Sequence, residues 1–288
     1  MADRRRSIDG EGGAGFMNGP AGGKVTPASI VSEKTAEPGK SPVQTAWDRT
    51  RRIKGHVVGF YAKLHGDPPA LPPSPFLGVS LARKLGYPET LLRTIPSELG
   101  RSIAPCGNPL ALLDAVSGMT ILNLGCGCGL DSLAVASEFG GSIEIVNADI
   151  VPAALRLGRE IAALQGHRMA WICADAERLP FRPESFDLIL MNGVFNLFPE
   201  KTRLLGCCRE ALKPEGRLLV TDLFRTGPLP EGFEEEMDAW AWCLNGSCTL
   251  EHLRALLELS GFALNGFYDR IEETDVFFRG TISARKEL

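Results

Sequence analysis

The side chains in this sequence best suited to chemistry are thiols and carboxylates. Eight cysteines occur among 288 residues: Cys106, Cys126, Cys128, Cys173, Cys207, Cys208, Cys243 and Cys248. Cys126 and Cys128 lie one residue apart in ILNLGCGCGLDSL, between Gly125, Gly127 and Gly129. That stretch is a metal pair, a redox pair, or a loop in which glycine lets the backbone approach a ligand and cysteine is a small filler. No C-x-x-C pair occurs, so a two-knuckle zinc site is not expected. Cys106 stands in a P-C-G-N-P turn, and loop cysteines are more often functional than core ones. Cys243 adjoins Trp240 and Trp242, aromatic faces that offer a cation–π surface. None of the four histidines falls in a motif, so no general base is evident.

The elements that must hold these groups are legible from periodicity. From about Met119, apolar strand-like runs alternate with helical stretches: ILNL, helix to Phe139, SIEIVNAD, helix Pro152–Leu164, AWICAD, FDLILMNG, helix Thr202–Leu212, a turn at Lys213–Gly216, and RLLVTDL. A helical insertion over 231–245, a helix over 249–259 and two late strands follow. This order predicts an α/β fold: a doubly wound, mostly parallel seven-stranded sheet with helices on both faces. Ligands of such sheets sit outside the carboxyl ends of the strands. The glycine loop follows the first strand. Its G-x-G-x-G spacing differs from the dinucleotide G-x-G-x-x-G. Asp149, at the end of the second strand, can accept both hydroxyls of a ribose. Asp175, after the third, can meet its base.

Upstream, residues 1–42 are rich in Gly, Ser, Pro and charge and read as a disordered tail. Residues 43–118 read as helices and linkers contributing to the active site: one or two helices over Val43–Leu64 interrupted near Gly55, a proline-rich linker, and short helical pieces broken at Pro88 and Pro96. Residues 119–288 read as one α/β unit, with an insertion at about 225–248 on the side where a substrate is expected. A net charge of −4 gives no electrostatic pull toward nucleic acid. The absence of a long apolar run predicts no membrane span, and the basic start has no apolar signal core behind it. The expected location is the cytoplasm, with free thiols; the sequence does not specify an oligomeric state.

The ordered series N-L-G-C-G-C-G, Asp149, A-D-A-E-R-L-P-F, F-D-L-I-L-M-N and L-K-P-E-G-R-L-L-V-T-D resembles the class I methyltransferases that use S-adenosyl-L-methionine. The resemblance spans about Met119 to Lys286. It implies that Gly125, Cys126, Gly127 and Gly129 line the methionine and ribose side. It also implies that Asp149 and Ile150 hold the ribose, Asp175 and Ala176 frame the adenine, and Asn192 faces the site of methyl transfer. Asn123 stands where the family carries an acid near the methionine amino group.

A narrower resemblance is to the arsenite methyltransferases. Cys106-Gly107-Asn108-Pro109, Asn192–Leu197, Leu229–Gly232 and Ala241–Gly246 carry it. It implies Cys106 and Cys243 as thiolate ligands of trivalent arsenic, a soft centre suited to sulfur, and an external thiol reductant such as glutathione or thioredoxin. Gly193 replaces the family's third cysteine, and Cys248 is a candidate substitute. The methyl acceptor is therefore a thiol-bound arsenical or a small organic O, N, C or S nucleophile. A non-catalytic metalloid-binding protein on the same fold is the third reading.

Overall fold

The structure is a computed structural model that describes residues 41–66, 74, 76–229, 231–233 and 236–287. Seven strands build one sheet: β1 (Thr120–Leu124), β2 (Glu144–Asp149), β3 (Ala170–Cys173), β4 (Phe186–Asn192), β5 (Leu212–Arg225), β6 (Phe262–Glu272) and β7 (Phe277–Lys286). Their order is β3-β2-β1-β4-β5-β7-β6. β3 through β5 run parallel, while β7 pairs antiparallel with both β5 and β6. Strand order reverses between β1 and β4, which opens a crevice at the carboxyl end of β1.

The central strands read as unbroken apolar runs because both faces are covered. In β1, Ile121 packs with Leu188, Leu190, Leu219 and Val135 on one face. Leu122 and Leu124 pack on the other with Ile189, Met191 and Val220. The covering helices are α5 (Leu130–Phe139) and α6 (Pro152–Leu164) on the first side, and α7 (Lys201–Ala211) and α9 (Leu250–Leu259) on the second. α9 starts at Thr249, whose side chain accepts from the His252 N–H.

Before the sheet lie α1 (Pro42–Leu64), α2 (Gly78–Lys84), α3 (Glu89–Leu92) and α4 (Ser97–Gly100). α1 begins inside the stretch expected to be tail, because Ser41 caps it by accepting from the Gln44 N–H and Pro42 suits a first turn. Residues 1–40 lie outside the described residues, as does most of the proline-rich linker. α1 is not interrupted at Gly55. A glycine there costs about 1 kcal/mol, and the flanking Ile53 and Val57 are held by packing against Trp240.

The expected turn at Lys213–Gly216 lies within β5. Pairing with β4 jumps from Phe186–Leu212 to Leu188–Arg217, and Glu215 takes φ 58°. Among the described residues, the expected helix over 231–245 is α8 (Met237–Ala241). Trp242 caps it and Cys243 turns left-handed at φ 63°, which stops the helix. Among the described residues no helix is long and apolar enough to cross a membrane.

Candidate active site

A cavity of about 1150 Å³, counting its open mouth, lies at the carboxyl ends of β1 to β4. The glycine loop makes its floor. Gly125, Gly127 and Gly129 all have positive φ, at 68°, 54° and 78°, a conformation that costs other residues about 1–2 kcal/mol each. A Cβ on Gly125 would collide with Val194. Of the residues expected to bind cofactor, Gly125, Cys126, Gly127, Asp149, Ile150, Asp175, Ala176 and Asn192 line this cavity.

Asn123 and Gly129 do not. Asn123 is buried, and its Nδ2 donates to Ser132 Oγ at 2.9 Å. Ser132 donates in turn to Asn147 Oδ1 at 2.6 Å. The amide therefore ties β1 to α5 and β2 beneath the loop. Gly129 ends the loop as the N-cap of α5, and a Cβ there would meet the Trp171 ring.

Asp149 accepts from the backbone N–H groups of Gly127 and Val151, both at 2.8 Å. Burial raises its carboxyl against these donors. Each oxygen keeps a further lone pair for a ligand. Asp175 accepts from Lys54 Nζ at 2.5 Å, and Glu177 accepts from the same ammonium at 2.7 Å. Burial works against ionisation of Asp175, but Lys54 and the Glu177 N–H bring its carboxyl below the ordinary range. Lys54 belongs to α1, which covers the cavity with Val57, Val58 and Tyr61. His65, just past that helix, also lines it. Burial lowers its imidazole to about 4, so the ring is neutral. Its buried Nδ1 has no partner among the described residues.

Sequence patterns did not single out Asp131, Tyr87, Lys54, Tyr61 or His65. Asp131 had a signal, since it lies in the first turn of the helix after the glycine loop. The others come from α1 and the short helices after it, where no spacing points to a cavity. Asp131 is 7% exposed and accepts from Tyr87 Oη at 2.5 Å and Asn192 Nδ2 at 3.2 Å. Burial raises its carboxyl to about 6. Asn192 Oδ1 accepts from the backbone N–H groups of Cys106 and Gly107, at 2.9 and 3.3 Å. One amide thus links the carboxylate at the glycine loop to the turn that bears Cys106.

Cys106, Cys243 and Asp222 converge beside this cavity. Their sulfur and oxygen atoms all lie within 4.8 Å of one another. Cys106 adjoins Pro105 of the cavity wall, and Cys243 Sγ lies 3.5 Å from the carbonyl of Gly193, another wall residue. Asp222 is fully buried, and its carboxylate accepts from Asn196 Nδ2 at 2.9 Å, from the Asn196 N–H at 3.1 Å and from the Leu223 N–H at 2.8 Å. Burial raises this carboxyl. The neighbouring Cys106, burial and Asp222 together hold the Cys243 thiol well above its ordinary range, so it is protonated at neutral pH.

Cys248 does not join this cluster; its side chain is part of the hydrophobic core under α9. The tryptophans do not line the cavity either. Trp240 packs on α1, and the Trp242 ring meets Phe60 and Phe76 edge-on, so both fasten α1 to the α8 segment. All eight cysteines are free thiols.

A family model described as a methyltransferase domain matches residues 115–261, just over half of the chain. The chain belongs to the methyltransferase-domain family. It is a class I, S-adenosylmethionine-dependent member that stands near the arsenite methyltransferases. It is 30% identical to an arsenite methyltransferase of Halobacterium salinarum over 171 residues, covering 59% of this chain and 44% of that one. It is 33% identical to a ubiquinone/menaquinone biosynthesis C-methyltransferase of Yersinia enterocolitica over 127 residues, covering 43% and 50%. The chain thus spans about half the length of these curated relatives. The fold is similar to that of an arsenic(III) S-adenosylmethionine methyltransferase from Chlamydomonas reinhardtii, with a TM-score of 0.56, 23% identity, and 70% of this chain and 74% of that one covered.

The methyltransferase cavity fits the family's cofactor. It offers a close-approach glycine floor, the Asp149 carboxylate with free lone pairs, and the apolar side chains of Ile150 and Ala176. His65, which lines the cavity, adds a buried nitrogen with no partner among the described residues.

Proposed function

We propose that this protein transfers a methyl group from S-adenosylmethionine to a trivalent arsenical held by Cys106 and Cys243. The observation that carries this reading is the two thiols and the Asp222 carboxylate gathered within 4.8 Å beside the cavity. Arsenic(III) is soft and prefers sulfur. Each thiol exchanges with a hydroxyl of arsenite: an As–S bond forms, an As–O bond breaks, and the thiol proton leaves with the hydroxyl as water. Cys243, whose thiol is held above its ordinary range, gives up its proton in this exchange. Asp222 stands ready to relay the proton, with Asn196 fixing its orientation.

Two thiols leave one arsenic valence for a hydroxyl, a methyl group or an external thiol. Glutathione or thioredoxin is the reductant this reading calls for. When bound, S-adenosylmethionine supplies a methyl group already activated on a sulfonium, so the protein need provide only position and a dry site. The cofactor residues are Gly125, Cys126, Gly127, Asp149, Ile150, Asp175 and Ala176, with Asn192 orienting the Cys106 turn. In this reading residues 43–118 complete the active site that residues 119–288 carry. The protein acts in the cytoplasm on small molecules.

Cys243 adopts φ 63°, where non-glycine residues are uncommon. Such strain concentrates at functional sites, and here it accompanies a thiol in the cluster. Incubation with arsenite or methylarsenite, glutathione and methyl-labelled cofactor tests the proposal. Labelled methylarsenicals are expected from wild type and not from Cys106→Ser or Cys243→Ser. Label transfer that survives both substitutions would refute it.

A second reading rests on Gly193 and Asp222. With a carboxylate in the cluster and no third cysteine, the site could deprotonate a small organic acceptor instead. Turnover of such an acceptor, unaffected by the serine variants and abolished by Asp222→Asn, would favour it.

A further inference from the structure

We infer that Asp131 is the anionic partner of the cofactor's α-ammonium group, a role that the family resemblance gives to an acid at the position of Asn123. The inference rests on the cofactor assignment and deepens it. Asn123 does not line the cavity, and its Nδ2 donates to Ser132. Asp131 lines the cavity, is almost wholly buried, and has only neutral partners there, a phenol and an amide. No cation among the described residues pairs with it. The N-terminal amides of α5 supply at most a partial positive charge. A buried carboxylate of this kind is costly unless a cation joins it.

The position along the cavity selects which cation. Sheet order sets Asp175 at the β3 end and Asp149 at β2, while Asp131 bonds Asn192 at the end of β4. A ligand with its base near Asp175 and its ribose at Asp149 therefore brings its amino-acid end to Asp131. Free α-amino groups have pKa values near 8 and are protonated at neutral pH. Tyr87 and Asn192 hold the carboxylate in place from two sides. The same Asn192 accepts from the Cys106 backbone, so the ammonium partner and the thiol-bearing turn share one amide.

Calorimetry with three ligands tests this: S-adenosylhomocysteine, its α-keto analogue lacking the amine, and 5′-methylthioadenosine lacking the whole amino acid. Wild type is expected to bind the keto analogue roughly ten- to a hundredfold more weakly than S-adenosylhomocysteine, the range for a hydrogen bond to a charged group. Asp131→Asn is expected to lose that preference and to bind 5′-methylthioadenosine as wild type does. Asp131→Glu, which keeps the charge, is expected to retain part of the preference. A wild type that binds the amine and keto forms equally overturns the assignment, even if D131N cannot be folded. So does a D131N variant that weakens all three ligands alike or none. A wild type that binds none of the three overturns the cofactor assignment itself.

Discussion

Gly193 presents its Cα hydrogen to Cys106: a Cβ built there would lie 3.1 Å from Cys106 Sγ. Its φ of 70° makes any side chain cost about 1–2 kcal/mol. Gly193→Cys is therefore expected to lower stability by that amount and, under reducing conditions, to bind arsenite at least about tenfold more tightly, equivalent to about 1.4 kcal/mol. Unchanged arsenite affinity in a folded variant would contradict a thiol site at this position. Asp131 gives a pH-dependent prediction. Its carboxyl rises from 3.8 to about 6 on folding, so the folded state favours the protonated form. The associated stability is present below pH 4 and is lost as pH rises through 6, leaving a cost of about 1–3 kcal/mol at pH 7. Asp131→Asn should melt higher than wild type at pH 7 without ligand, and this advantage should vanish near pH 4. A variant that melts lower at pH 7 would show that the carboxylate stabilises the empty protein. At this scale the sequence was informative where a motif fixed the backbone. Gly125 and Asp175 follow strand ends and Asp149 is one, and the strand ends define the cavity. At Asn123 the motif position does not reveal which way the side chain turns. Here Ser132 and Asn147 draw the amide beneath the loop.

α1 is the element that converts an open crevice into a covered cavity. Trp240 anchors it through Ile53 and Val57, and Lys54 bridges to Asp175 and Glu177. Lys54→Met should lower global stability by only about 1 kcal/mol or less, since the ammonium is part-exposed. It should nevertheless speed amide exchange in α1 while leaving β1 and β4 protected. Equal exchange in α1 of both proteins would mean that the ion pairs do not hold the helix. The strands and helices after Met119 were readable because period-2 and period-3.6 patterns are strong in a sheet covered on both faces. The role of α1 was not, because a cover is defined by long-range contacts such as Lys54 to Asp175. Those contacts leave no local spacing in the chain. The α8 segment was overestimated for a related reason: its apolar and aromatic residues serve α1, while Cys243 turns out of the helix.

At the scale of the whole molecule, the cavity at the sheet's switch point and the thiol–carboxylate cluster adjoin each other at Asn192 and Gly193. A ligand that binds only the folded state stabilises it by about 2.7 kcal/mol at a hundred times its Kd. For a protein of this size, S-adenosylhomocysteine at that excess should raise the melting temperature by roughly 5–10 °C. No shift would contradict the cofactor cavity. The arsenic assignment is tested most directly by intact-protein mass spectrometry after mixing the reduced protein with arsenite. One arsenic per chain with two thiol protons lost is expected for wild type, with loss of that adduct in Cys106→Ser and in Cys243→Ser. An adduct that persists in both variants, or none in wild type, would contradict the account.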